Sequence, residues 1–309
     1  MDMKNKNYKF STSVRESGLL RGSFNELTQK TFGFDFVDWY EDGGWGDLYI
    51  PHVMVEGKRV ISNVSVNHIR FDLGGVKKDY IQIGTVMTDE KYRGQGLNGR
   101  IMERVLKEYE GRTDGIYLFG NDSVLNYYPR FGFRPSKEYE YYMLFHGPSG
   151  ISMENTEPYV LQKLDMAQKG QREALHREIG NYSIDPENVN QNDGMYMSEN
   201  MGLYQFWMAA DFAGCIYYLP ETGAYAVASP EGEALQVAQI FGKKQVEIPR
   251  LARAFGRDIK EAVLGYTPAH KELFQVREHK EEDSTLFILG EDLHRIERDK
   301  MMFPVLSHA

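Results

Sequence analysis

Residues 80–110, YIQIGTVMTDEKYRGQGLNGRIMERVLKEYE, hold the side chains and spacings from which chemistry can be read. Gly94, Gly96 and Gly99 lie between two apolar segments. Before them, Ile81, Ile83 and Val86 make a short β-branched run that reads as a buried strand. After them, Ile101, Met102, Val105, Leu106 and Tyr109 recur at helical spacing, giving an amphipathic helix of about three turns. A strand, a glycine-rich turn and a helix together present unpaired backbone N–H groups to an anion. The glycines let the chain approach without Cβ clashes, and the helix dipole favours negative charge. A phosphate-bearing ligand is expected here.

The same glycines spell G-x-G-x-x-G, the pattern of a dinucleotide fold. Its context does not fit. A Rossmann strand runs almost straight into its first glycine, whereas Asp89, Glu90, Lys91, Tyr92 and Arg93 intervene here. The residues before Tyr80 alternate as antiparallel strands and repeat no βαβ unit. A dinucleotide oxidoreductase is therefore disfavoured.

The stretch resembles motif A of the GNAT superfamily of N-acetyltransferases, Arg/Gln-x-x-Gly-x-Gly/Ala between a strand and a helix. Arg93, Gly96 and Asn98 stand at its three defining positions. A second match follows in order: Asn121 after an expected strand at 115–119, then Tyr128-Pro129-Arg130-Phe131-Gly132-Phe133, similar to the family's Tyr-x-x-x-Gly-Phe. Asn98 departs from the pattern, which has Gly, Ala or Ser there. Asparagine tolerates a left-handed backbone and Gly99 follows at once, so the loop is expected to survive with an altered grip on pyrophosphate. The resemblance covers residues 10–146.

What the resemblance implies is acyl transfer from acetyl-CoA, a cosubstrate, to a primary amine of a small molecule or an exposed protein amine. Val86, Met87 and Thr88 would pair with the pantetheine arm, and a backbone N–H at that bend would stabilise the tetrahedral oxyanion. Gly94, Gln95, Gly96, Leu97, Asn98 and Gly99 would hold the pyrophosphate, with Arg93 ahead of them. Asn121 would contact the pantetheine, and Tyr128 would be the general acid that protonates the leaving sulfur. The plain alternative for Tyr128 is one more packed aromatic among 20 tyrosines, and a one-residue slip would exchange it with Tyr127. The general base stays open between His52, His68, Glu41 or Asp42 through water, and a terminal carboxylate at Ala309. The remaining histidines (His146, His176, His270, His279, His294 and His308) show no metal-ligand spacing, and no metal is expected.

The elements that position these groups read as follows. Helices at 16–31 and 34–40 overhang the acceptor site in the resembled fold, and Asp35, Asp38, Glu41, Asp42 and Asp47 there lie among Trp39, Tyr40 and Trp45. They either hold an ammonium by charge and cation–π attraction or form a solvated acidic face. A hairpin is predicted at 50–56 and 59–71, a strand at 80–88, a parallel partner at 115–119, a short helix at 123–130 and a closing strand at 138–145. The composition break at 146–150 places a domain boundary there, giving a GNAT-like domain at 1–146 and a second, smaller α/β domain at 151–309. In the second part we expect a helix at 166–179, a loop at 181–192, strands at 214–219, 223–229 and 234–241, a helix at 248–255, and strands at 262–265 and 285–289. That order echoes the first part, as a degenerate copy would, but Gly242-Lys243-Lys244-Gln245-Val246 stands where a phosphate loop would be. The fold class is thus α/β (α+β): a mixed sheet with an antiparallel N-terminal part and a splayed parallel pair, followed by a GNAT-like accessory part. That part either walls the acceptor cleft or supports a homo-oligomer.

With 309 residues and a net charge of −9, the chain is no general nucleic-acid binder, which wants a basic surface. No apolar run reaches the roughly 18 residues of a membrane span. The lone Cys215 excludes an intrachain disulfide framework, and the first residues form no secretory signal, so a cytoplasmic location is expected. The alternative from another functional class is a non-catalytic acyl-CoA-binding or sensing module on the same loop, since fold does not settle function.

Overall fold

The chain, seen in a computed structural model, is described over residues 8–146, 150–184 and 194–308. Strand β1 (Lys9–Ser11) leads into helix α1 (Gly18–Phe32), which Ser17 caps by accepting from the Leu20 N–H, and the short helix α2 (Val37–Glu41) follows. Next come β2 (Tyr49–Glu56), β3 (Arg59–Leu73), β4 (Val76–Thr88), α3 (Leu97–Tyr109), β5 (Gly115–Gly120), β6 (Arg134–Ser136) and β7 (Glu138–Leu144). The rest of the chain supplies β8 (Gln162–Lys163), α4 (Lys169–Ile184), β9 (Tyr196–Met197), α5 (Met201–Ala209), β10 (Ile216–Leu219) and β11 (Ala224–Glu231). It ends with β12 (Ala234–Phe241), α6 (Ile248–Phe255), β13 (Glu261–Leu264), β14 (Gln275–His279), β15 (Thr285–Leu289) and α7 (Arg295–Arg298). Most predicted elements form within a few residues of their expected ends. The predicted helix at 123–130 is instead two short 3-10 turns, Asp122–Val124 and Tyr128–Phe131. The loop expected at 181–192 begins in the last turn of α4, and its remainder lies outside the described residues.

Two mixed sheets result. The first runs β1-β2-β3-β4-β5-β15-β6, with β9 beside β3, and the second runs β14-β7-β13-β12-β11-β10-β8. Each has antiparallel strands leading to one parallel pair, β4 with β5 or β12 with β13, and each pair is joined by a helix, α3 or α6. The second sheet therefore repeats the first in topology.

The sheets also trade strands. The closing strand expected at 138–145 forms, but as β7 it pairs with β13 and β14 in the second sheet. Its place between β5 and β6 is taken by β15. One residue, Lys137, separates β6 in one sheet from β7 in the other, and the return crossing lies between β14 and β15. Lys137 Nζ meets Glu278 Oε2 at 2.8 Å and so links the two crossings. Alternating burial tells a strand which side faces a core; it does not say which sheet the strand joins.

Apolar burial is correspondingly shared. Ile81, Ile83, Leu97, Ile101, Val105 and Leu118 pack α3 on one face of the first sheet, and Leu251 and Ala252 of α6 pack on the second. Between the sheets a third core joins Phe71, Tyr80 and Tyr117 to Leu175, Leu203, Met208, Ile216 and Phe303. The chain after α7 threads this core. Phe303 stacks on Tyr117 at 3.9 Å and 3°, its N–H donates to Glu138 Oε1 at 2.7 Å, and Val305 N donates to the Gly265 carbonyl at 2.9 Å. This last segment fills the gap where β12 and β13 part, since a Cβ on Gly265 would meet both Val305 and Ala238.

Glu138, the first residue of the traded strand, is buried, and burial pushes its carboxyl from an ordinary 4.5 to about 7. The unfolded chain thus binds fewer protons than the folded one between those two values, so stability falls as pH rises through that window. Glu138→Gln keeps an acceptor for the Phe303 N–H. It is expected to exceed wild type by about 3 kcal/mol at pH 8 and by no more than about 1 kcal/mol at pH 5, as read by urea unfolding at the two pH values.

Candidate active site

The β4–β5 ladder ends at Gln82 paired with Tyr117, and beyond it the two strands part. The cause is local. Thr85 has φ +48°, a left-handed conformation that a β-branched residue rarely takes, and the β3–β4 register shifts there between Asn63 and Ser65. Two hydrogen bonds hold the distortion: Asn63 Nδ2 to the Thr85 carbonyl at 2.7 Å, and Tyr49 Oη with Thr85 Oγ1 at 2.7 Å. A cavity of about 1010 Å³ opens beside this bend, at the upper end of the range for small-molecule sites.

Of the residues singled out from sequence, Val86, Met87, Thr88, Arg93, Asn98, Asn121 and Tyr128 line the cavity, and so does Tyr127. Gly94, Gln95, Gly96, Leu97 and Gly99 do not line it; they continue from its edge as the turn into α3, with Leu97 buried beneath. Gly94 (φ +74°) and Gly96 (φ +69°) carry the left-handed conformations, and their side-chain positions face open space, so a substitution there costs backbone strain, not a clash. Gly96 is the N-cap of α3 and no side chain bonds the first turn, which leaves its N–H groups to a ligand.

Asn98 differs from the expectation. It lies inside α3, not in a left-handed loop, and its amide turns inward, donating to the Met87 carbonyl at 3.1 Å and to Thr88 Oγ1 at 3.2 Å. The residue thus ties the helix start to the end of β4. Arg93 makes a parallel tie through Nε to the Thr88 carbonyl at 3.3 Å while its guanidinium stays exposed. Asn121 lines the cavity and spends its carbonyl oxygen capping the turn at Ser123, with N and Oγ donors at 3.2 and 2.6 Å, which leaves its amide nitrogen as the remaining donor.

Tyr128 is buried against Phe133 and against Phe287 of β15, and burial raises its phenol above the usual value. A Cβ on Gly120 would stand 3.0 Å from the Tyr128 ring, so a larger residue at the end of β5 would press on the ring and make it shift. Tyr127 packs on Phe131 and its hydroxyl is buried without a partner among the described residues.

The far wall was foreseen from sequence only in the part that the first helices supply, with Asp35 and Trp39. It comes from Phe32, Phe34, Asp35, Phe36 and Trp39 of the first helices, from Leu203, Phe206 and Trp207 of α5, and from His308 near the chain end. The His308 ring stacks on Phe119 at 4.0 Å, its carbonyl accepts from Trp207 Nε1 at 2.6 Å, and the Phe303 backbone hydrogen-bonds the imidazole. Its Nε2 is buried without a partner among the described residues, and burial lowers the imidazole to about 4, so the ring is neutral at pH 7. The other base candidates sit elsewhere. His52 and His68 face α3, against Glu108 and Tyr109, and neither they nor Glu41 and Asp42 line the cavity. Ala309 lies outside the described residues. Of the five acids around the first helices, Asp35 alone reaches the cavity wall, while Trp39 and Trp45 are buried in an aromatic core.

At the equivalent position of the second sheet, the N-terminus of α6 is already engaged: Glu247 N donates to Tyr159 Oη at 3.2 Å, and the last segment of the chain fills the gap between the strands. Among the described residues, no group of three His, Cys, Asp or Glu side chains could hold a metal, and no helix is long and apolar enough to cross a membrane.

Residues 21–136, from α1 through β6, match a family model described as an acetyltransferase (GNAT) domain. None of the curated proteins compared matches the sequence. Among solved structures, a GCN5-related N-acetyltransferase from Kribbella flavida aligns over 93% of this chain and 72% of its own, with TM-score 0.55 and 12% identity. Eis1 from Mycobacterium abscessus aligns over 91% of this chain and 72% of its own, with TM-score 0.52 and 13% identity. A probable N-acyltransferase from Enterococcus faecalis V583 covers 92% and 71%, with TM-score 0.52 and 12% identity. These are likenesses of fold, and they extend over both sheets. The sequence match to an acetyltransferase (GNAT) domain is thus confined to residues 21–136, and over the remainder the likeness to these proteins is one of fold.

Proposed function

We propose that the protein transfers an acetyl group from acetyl-CoA directly to a primary amine. The observation that carries this reading is the parting of β4 and β5 at Thr85, with the free N-terminus of α3 at one end and a phenol, Tyr128, on the same cavity wall. In this reading the backbone of residues 86–88 pairs with the pantetheine arm, and the first turn of α3 with Arg93 holds the pyrophosphate. Asn98 positions these two parts relative to each other, and Asn121 offers its amide to the arm.

The amine nitrogen bonds to the thioester carbon, and a backbone N–H at the bend stabilises the resulting oxyanion. Collapse breaks the carbon–sulfur bond, with the proton of Tyr128 going to the thiolate and the amine's proton going to a base. For that base we assign His308: its Nε2 is unpaired, its ring is held by Phe119 and Phe303, and it is neutral in the working range. Residues 1–146 would then carry donor binding, and residues 151–309 would wall the acceptor side and lend β15 to support Tyr128.

Calorimetry is expected to find one CoA per chain, because the chain's own end fills the second gap. Gly96→Asp is expected to weaken that binding more than roughly tenfold, about 1.4 kcal/mol, through strain and a misplaced carboxylate; an unchanged affinity would refute the loop assignment, and two CoA per chain would refute the reading of residues 242–246 as lacking a phosphate site.

Tyr128→Phe keeps the ring and removes the donor. Its kcat is expected to fall roughly 10²-fold with KM for acetyl-CoA little changed, and the loss should shrink with thioesters whose thiol leaves more easily. Tyr127→Phe, measured beside it, should stay near wild type; exchanged behaviour would move the acid by one residue.

His308→Gln preserves a ring-sized polar group without the basic nitrogen. We expect kcat to drop on the order of 10²-fold at unchanged CoA affinity, and normal turnover in steady-state assays would remove His308 from the mechanism.

A further inference from the structure

The chemistry of the far cavity wall bears on which amine enters. Phe32 and Phe34 are 46% and 40% exposed although both are large and apolar, and their rings stack at 6.0 Å. Phe34 also meets Phe206 of α5 at 6.1 Å, so the exposed pair continues into the cavity as one aromatic surface. Trp207 extends it, and its indole N–H is already used on the His308 carbonyl, so it offers the pocket a ring face and no donor. Exposed aromatic surface that converges on a cavity is costly to keep in water unless something apolar covers it. Here the covering group has to be a ligand, because the rings stand in the wall of the site.

The lining carries three carboxylates, Asp35, Asp211 and Glu281 of the turn between β14 and β15, against the rings of Phe32, Phe34, Phe36, Trp39, Phe206 and Trp207. Asp35 is partly engaged, its Oδ1 accepting from Val37 N at 2.9 Å. Asp211, just past the end of α5, lines the cavity and forms no ion pair among the described residues. Arg93, the cation of the lining, lies at the opposite end beside the α3 turn. A polyamine or an oligosaccharide with several ammonium groups needs spaced carboxylates to replace its water. This wall is mostly rings, with acid at its margin.

We infer that the acceptor is a monoamine borne on an aromatic or comparably flat apolar body, a deduction that rests on the acetyltransferase reading above. The body packs on the surface that Phe34 and Phe206 form together, with ring contacts added to simple burial. Asp211 attracts the ammonium form at the mouth, and the amine loses that proton before it reaches the thioester. The same wall disfavours free lysine, whose α-carboxylate would have to be desolvated against the rings.

The test is a turnover panel at pH 8 with saturating acetyl-CoA and free thiol as the readout. Phenethylamine and tryptamine are compared with spermidine and free lysine, and CoA binding is followed separately by thermal shift. Phenethylamine or tryptamine is expected to exceed spermidine and lysine in kcat/KM by at least roughly tenfold. Phe34→Ala, at an exposed position where loss of folding is least expected, should raise KM for the aromatic amines on the order of tenfold, with the thermal shift caused by CoA retained. Asp211→Asn should raise the same KM less at high salt than at low salt. Spermidine or lysine matching the aromatic amines, or Phe34→Ala leaving their KM unchanged, would overturn the substrate class while the acetyltransferase reading stands. CoA binding with no turnover of any amine also overturns it, and absence of both CoA binding and turnover overturns the two together.

Discussion

Thr85 keeps a left-handed backbone in the middle of a strand, at a cost of the order of 1–3 kcal/mol. Asn63 and Tyr49 offset it, one bonding the Thr85 carbonyl and the other its hydroxyl, and Asn63 is fully buried. Without that distortion β4 would stay paired with β5 to its end and no cleft would exist. The cavity, the place of residues 86–88 on its wall, and the approach of α3 all depend on it. Asn98 belongs to the same construction, since its amide spans from the helix start to the Met87 carbonyl.

The second constraint is the exchange of β7 and β15. It makes the environment of Tyr128, the acid proposed above, a joint product of distant parts of the chain: Tyr128 comes from the early half, while Phe287 behind it comes from the late half. The matched acetyltransferase region ends at β6, one residue before the chain crosses to the other sheet. After α7 the chain stitches the two sheets together, through Glu138, Tyr117 and Gly265, and delivers His308 to the cavity. The gap this segment closes in the second sheet is the counterpart of the one left open in the first. One chain therefore carries two versions of the same architecture, one with its strands parted beside a cavity and one packed with itself.

Much of this was legible because it is local. Helix α3 follows from its apolar stripe, and the turn before it from Gly94 and Gly96. What escaped is what sequence encodes weakly. Helix α5, MGLYQFWMA, is apolar nearly all round and shows no stripe by which a 3.6 period could be recognised. Strand β7 alternates in the same way whichever sheet receives it. Thr85 reads as an ordinary strand former, since a positive φ at a β-branched residue leaves no compositional trace. Asn98 looked like a loop asparagine and is a helical one whose side chain does the joining. His308 is distant in sequence from Phe119, and only the completed fold brings them together.

Amide hydrogen exchange with and without CoA reports directly on whether the parted strands hold the donor. Added CoA should slow exchange at residues 86–88 and 96–99, where strand amides gain a partner and the first turn of α3 meets phosphate, and leave residues 242–248 and 302–308 unchanged. Unaltered exchange at 86–88, or protection appearing instead at 242–248, would contradict the assignment of the cleft at Thr85 as the donor site.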